Sequence, residues 1–157
     1  MEYNEREQLI AQYNDGYRAV ADALLKITPE ELDAHPAPGK WSAREIIHHL
    51  ADSETMAAVR FRLLLAEDRP AIKGYDQDRF ASRLHYERPH EASLELFRSA
   101  RASTAELMGC LTEADWLREG THSELGRYGL DVWLRGVAVH AHRHADQIRI
   151  ARKAAKT

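Results

Sequence analysis

The strongest constraint on this chain is rhythm: its apolar residues recur every three or four positions in four long stretches. Residues 6–26 carry Ile10, Tyr13, Tyr17, Val20 and Leu24 in that pattern, with Ile27 just beyond. From Ser42 to about Ala66 it continues through Ile46, His49/Leu50, Ser53, Ala57, Phe61 and Leu64. A third stripe, from His90/Glu91 to Leu111, is Leu94, Phe97, Arg101, Thr104, Leu107/Met108 and Leu111. The fourth, from Asp131 to Arg152, is Trp133, Val137, His140/Ala141, His144 and Ile148. This is the period of an α-helix with one buried face. Four such helices with no credible strand pattern predict an all-α protein, a four-helix bundle forming one domain over residues 1–157.

The boundaries are written in cap chemistry. Thr28-Pro29-Glu30-Glu31 supplies a cap, a proline at the first helical position and a capping-box glutamate, enough for one short turn. His35-Pro-Ala-Pro-Gly39 forbids helix. Ser42 with Glu45 forms a second capping box, and Trp41 is placed to staple onto Ile46. Thr112-Glu-Ala-Asp115 reads as another capped turn, with Trp116 to bury. Residues 117–129 read as a loop in which Glu124-Leu-Gly-Arg-Tyr-Gly allows a brief extended excursion. The connection over residues 67–90 is long for a helical bundle, with a short helical piece expected from Tyr75-Asp76 to Phe80. Its length predicts that the second and third long helices are not simple antiparallel neighbours.

Composition excludes several function classes. Hydrophobic residues make up 44%, charged residues 30%, and the net charge of -3 shows no basic stripe for nucleic acid. The longest apolar runs are too short to span a bilayer, and the polar start Met-Glu-Tyr-Asn-Glu-Arg-Glu lacks the core of a signal peptide. A cytoplasmic protein with a small-molecule substrate is expected, with room for a homodimer. The single cysteine, Cys110, rules out an internal disulfide and a thiolate cage, so a metal here would be held by histidine and carboxylate.

Histidine spacing supplies the chemistry. His140 and His144 are one turn apart on one helix face, while His142 points away. A single histidine on an apolar stripe is more often a satisfied core residue than a ligand. Two adjacent ones repel when protonated, and a divalent ion removes that penalty by holding both neutral. Ala141 stands where an HExxH metalloprotease has its glutamate, so that mechanism has no base here. An upstream histidine is needed to complete the set. His49 lies on or beside the core face of its helix and His48 about 100° away at the flank. His85, His90 and His122 read as surface residues.

Trp41-Ser42, His48-His49 before Ala51-Asp52-Ser53, Ile72-Lys-Gly-Tyr75-Asp76 and His140-x-x-x-His144-x-x-Gln147-Ile148 together resemble the DinB/YfiT-like superfamily. The resemblance runs from about Trp41 to Ile150 and is closest to the YfiT branch, described as metal-dependent hydrolases or bacillithiol S-transferases. It implies a four-helix bundle of unusual topology and a metal triad at His49, His140 and His144. Two departures stand out: Glu54 occupies a position that is histidine in that branch, though glutamate in many other DinB-like proteins, and Arg143 replaces one of a histidine pair.

Three imidazoles suit zinc or nickel, with iron or copper after them, and leave a coordination position open, as catalytic sites do. A low-molecular-weight thiol or water would then supply the nucleophile. Asp52, on the His49 face, and Glu54, about 140° round the helix, are the candidate catalytic carboxylates, each equally well read as a solvated helix face. Tyr75 and Asp76 read first as loop-packing residues, with Tyr75 the candidate to line the site. Arg60 and Arg62 are placed to snorkel, and Arg60 alternatively to meet an anionic thiol or substrate. The functional expectation is a metal-dependent thiol S-transferase. The alternatives are a hydrolase using the same metal with water, and a non-catalytic metal-binding stress protein.

Overall fold

The computed structural model describes residues 1–155. Four long helices form its frame: α1 (Tyr3–Leu24), α3 (Ala43–Ala66), α5 (Glu91–Met108) and α6 (Leu130–Ala154). The short helices are α2 (Pro29–Asp33) and α4 (Gln77–Arg83), and a turn of 3-10 helix covers Asp115–Leu117. The two predicted capping boxes, Thr28/Glu31 and Ser42/Glu45, are both formed. Asp76 caps α4 through the backbone N–H groups of Asp78 and Arg79.

Side-chain pairs fix the helix directions. The Gln12 carbonyl meets His142, that of Ala19 meets Arg149, and that of Ala23 meets Arg152, so α1 and α6 run parallel. Helices α3 and α5 are parallel too: His48 meets Ser93 near their starts and Arg62 meets Ser103 and Thr104 near their ends. Between the pairs the sense reverses. His49 faces His140 while the Ala57 carbonyl accepts the Trp133 indole N–H, at 2.9 Å. The second and third long helices are therefore neighbours, but parallel ones. Helix α3 is about 36 Å long at 1.5 Å per residue, so the chain must climb back that distance before α5 begins. Residues 67–90 make that climb.

The loop regions depart from the all-helical expectation. Three short strands, β1 (Ala71–Ile72), β2 (Glu119–His122) and β3 (Gly126–Gly129), form a sheet in that order. Ile72 pairs with His122 in the parallel β1–β2 ladder, and Gly120 with Tyr128 in the antiparallel β2–β3 ladder. Strands of two and four residues carrying Gly120, Gly126 and Gly129 show no alternation for a sequence pattern to catch. Gly126 closes the hairpin at φ +73°, in the left-handed region glycine reaches without a Cβ penalty.

The core has two parts. One, near the α3 start, gathers Val20, Ile46, Ile47, Leu50, Phe97, Ala145 and Ile148, with Trp41 packed against it. The other gathers Tyr13, Phe61, Leu64, Leu130, Trp133 and Leu134. Between them, at mid-bundle, Glu54 and Arg101 form an ion pair in which each side chain is 3% exposed. No described helix is long and apolar enough to cross a membrane.

Candidate metal centre

The antiparallel contact of α3 with α6 brings His49 against His140 and His144. The His140 Nε2 lies 3.3 Å from the His49 Nε2 and 3.1 Å from the His144 Nε2. Three ring nitrogens, each with one lone pair, thus converge on one point. Two nitrogens bound tetrahedrally at about 2.0–2.1 Å from one ion would sit about 3.3 Å apart, so the spacing fits a shared divalent ion. The donor atoms of all three residues lie within 4.8 Å of one another. The Nδ1 atom of His49 is buried without a partner, and Gln147 lies beside His144.

Electrostatics prepares these imidazoles to be ligands. Burial, then the nearby His144, pushes His49 down to about 3. Burial, then His144, His49 and Arg101, does the same to His140, also to about 3. Burial lowers His144 as well. All three are neutral at pH 7, with lone pairs free for a metal. The Trp41 ring packs 4.8 Å from the His49 ring and walls one side of the cluster. Beside His144 opens a cavity of about 530 Å³ lined by Trp41, Ile46, Lys40, Asp78 and Gln147.

The other histidines go elsewhere. His142 meets the Gln12 carbonyl at 3.1 Å, on the α1 side of α6. His48 is not at a flank but fully buried. Its Nε2 donates to the Arg88 carbonyl at 3.0 Å, leaving Nδ1 to accept the Ser93 hydroxyl at 2.8 Å. His122, expected at the surface, is 4% exposed because β2 lays it inward against Tyr128. The His90 side chain is 19% exposed, also more buried than a surface reading allows, while that of His85 is 76% exposed.

The predicted polar residues spread over three places. Asp52 accepts the Tyr86 hydroxyl on Oδ2 at 2.7 Å, and Tyr86 packs edge-on to Trp41. Glu54 points away from the histidines into the bundle, where Tyr13 donates to one oxygen and Arg101 to the other. Burial pushes the Glu54 carboxyl upward, against the pull of Arg101 and Tyr13. Tyr75 stacks on Phe80 at 4.7 Å, with the Arg60 guanidinium 5.6 Å from its ring. Sequence reasoning passed over Arg101, Tyr86 and Lys40. An arginine at a core position of the third stripe was the visible signal for the first; the other two carried none.

Comparison with known proteins identifies the family. The DinB superfamily profile matches residues 12–148. The chain belongs to the DinB superfamily. Among similar members is an Oceanobacillus iheyensis protein named "Putative metal-dependent hydrolase", 31% identical over 139 residues, or 88% of this chain and 81% of that one. A Bacillus cereus protein of the same name is 28% identical over 144 residues, covering 92% and 83%. Among solved structures, YfiT from Bacillus subtilis superposes with a TM-score of 0.88 at 25% identity, covering 98% of this chain and 89% of that one. It is described as "a probable metal-dependent hydrolase with an unusual four-helix bundle topology". The two parallel helix pairs described above belong to the bundle topology that this chain shares with YfiT.

Proposed function

We propose that this chain is a metal-dependent transferase that joins a low-molecular-weight thiol to an electrophilic small molecule. The observation that carries the reading is a cluster of three converging histidine nitrogens with no carboxylate in it among the described residues. A divalent ion held there by His49, His140 and His144, zinc or nickel, would supply Lewis acidity that favours the thiolate form of a thiol at neutral pH. Free thiols titrate near 8.5 and need far less help than water, so a centre without a carboxylate base suits a thiol better. Cys110 is exposed in the turn after α5, with its thiol on the Glu106 carbonyl, and the thiol of the proposed reaction is a separate small molecule.

His49, His140 and His144 hold the ion as neutral ligands. Trp41 and Ile46 offer the electrophile an apolar wall, and Lys40 and Gln147 offer it polar contacts. Asp52 lies one turn from His49 and accepts the Tyr86 hydroxyl, which holds the Tyr86 ring edge-on to the Trp41 wall. The sulfur–carbon bond forms as the carbon–leaving-group bond breaks, so thiol and electrophile give a thioether and the protonated leaving group. A cytoplasmic setting, where small thiols stay reduced, fits this chemistry.

The names of the relatives favour a second reading, hydrolysis with water as nucleophile. Metal-loaded protein assayed with thiols against chlorinated and epoxide electrophiles, beside an ester and amide panel, separates the two. Thioether formation that disappears in His140→Ala supports the transferase. Turnover confined to the ester and amide panel would overturn it in favour of hydrolysis. Metal loss that collapses the melting temperature, with neither panel turned over, points to a structural metal.

A further inference from the structure

Three turns along α3 from His49, the same helix face carries Arg60. Eleven residues at about 100° each return the side chain to within about 20° of His49, about 16 Å along the axis. The Arg60 guanidinium sits at the Lys73 carbonyl and 5.6 Å from the Tyr75 ring. Gly136, one turn before His140 on α6, is exposed, and a Cβ there would meet nothing within 4 Å.

Arg60 is not used up by the fold. Arg101, Arg118 and Arg127 each meet a carboxylate. Arg60 instead donates to the Lys73 carbonyl at 2.9 Å, and its buried Nε has no acceptor. The small sheet sets further donors beside it. Lys73 follows Ile72, the residue paired with His122. His122 accepts the Glu124 N–H on Nδ1 at 3.1 Å, so its remaining proton sits on Nε2. The residue is 4% exposed. Tyr128 lies on the same sheet face, with its ring 5.1 Å from that of His122. Burial and the nearby Arg60 charge keep the His122 imidazole neutral. Two acidic groups border this region. Glu124 is exposed, with its carboxylate over Gly74, and Asp52 is engaged by Tyr86.

We propose that Arg60, His122 and Tyr128 form an anion subsite that takes a carboxylate of the substrate or of its thiol partner. The site offers a cation, an imidazole N–H and a phenol O–H, and the carboxylate that acts on it is that of exposed Glu124, beside His122. A ligand anchored here reaches the histidines along α3, where the two positions are about 16 Å apart on the helix axis, the span of roughly five extended residues. The orienting role rests on the metal-dependent reading, whereas the anion binding does not.

The test therefore uses metal-free protein. It is titrated with succinate and, separately, with inorganic phosphate, and followed by the NMR signals of the His122 ring and the Arg60 Nε–H. Succinate should bind and shift both signals. Arg60→Gln should weaken binding about tenfold or more, the worth of a charge-assisted pair. His122→Gln should weaken it by less, Glu124→Gln should tighten it, and His140→Ala should leave it unchanged while abolishing metal uptake. No succinate binding by the wild type, or equal binding by Arg60→Gln, would overturn the subsite. Tighter binding of phosphate than of succinate would overturn its assignment to a carboxylate. Failure of His140→Ala to lose metal would count against the metal centre alone.

Discussion

Glu54→Ala would leave the Arg101 guanidinium buried without its counter-charge. Both side chains are 3% exposed, and the variant also takes the acceptor away from the Tyr13 hydroxyl. Arg101 would keep only the carbonyls of Tyr13, at 2.9 Å, and Val137, at 3.3 Å. Stranding one member of a buried pair costs roughly 3–5 kcal/mol. For a domain of this size that lowers Tm by roughly 6–20 °C. Urea unfolding followed by circular dichroism measures it. Replacing both partners, Glu54→Leu with Arg101→Met, should recover most of the loss, because the desolvation penalty disappears together with the attraction. Glu54→Gln keeps the shape and the Tyr13 contact and should fall between. A loss under about 1 kcal/mol in Glu54→Ala, the size of an exposed pair, would refute the reasoning. So would a double variant less stable than Glu54→Ala. Since both Glu54 oxygens are engaged inside the bundle, metal content per folded chain should match wild type in every one of these variants.

Acid should destabilise the metal-free protein. Histidine in an unfolded chain titrates near 6.5, whereas burial and neighbouring imidazoles hold His49 and His140 at about 3. Between those values the unfolded chain binds protons that the folded one does not. Stability therefore falls with pH through that window, by up to about 1.4 kcal/mol per unit for each histidine. Urea titrations at several pH values check this, and a slope unchanged in His140→Leu would contradict it. Gly16→Ala should destabilise by about 1–3 kcal/mol, since the added Cβ would come within 2.8 Å of the Ala141 Cβ and 2.6 Å of the Arg101 Nη2; a neutral thermal melt would show that α1 and α6 have room to part. Ser42→Ala should cost about 1 kcal/mol through the lost cap on α3, and an unchanged melt would place the start of that helix under the control of packing instead.

The helices were legible in sequence because period, caps and breakers agreed at each boundary, as at Ser42/Glu45 and at the prolines before it. The pairing of His49 with His140 and His144 was legible in part. Spacing put the two C-terminal histidines on one face, and family resemblance, not spacing, singled out His49 over His48. What spacing does not encode is what a neighbouring helix brings. His48 is buried because α5 offers Ser93 and the preceding loop offers the Arg88 carbonyl. Glu54 turns inward because Arg101 and Tyr13 wait there from two other helices. The sheet escaped for a related reason: its strands are held by pairing across about fifty residues of chain, with no periodic pattern of their own. His122 and Tyr128 were therefore read as loop residues although the ladder buries both.

The central claim, that His49, His140 and His144 hold one divalent ion, is tested most directly by the metal content of purified protein. Wild type should carry about one zinc or nickel ion per chain. His49→Ala, His140→Ala and His144→Ala should each lose it, while His48→Ala and His142→Ala, measured on their folded fractions, should retain it. Full metal content in any of the first three, or loss in His142→Ala, would contradict the account.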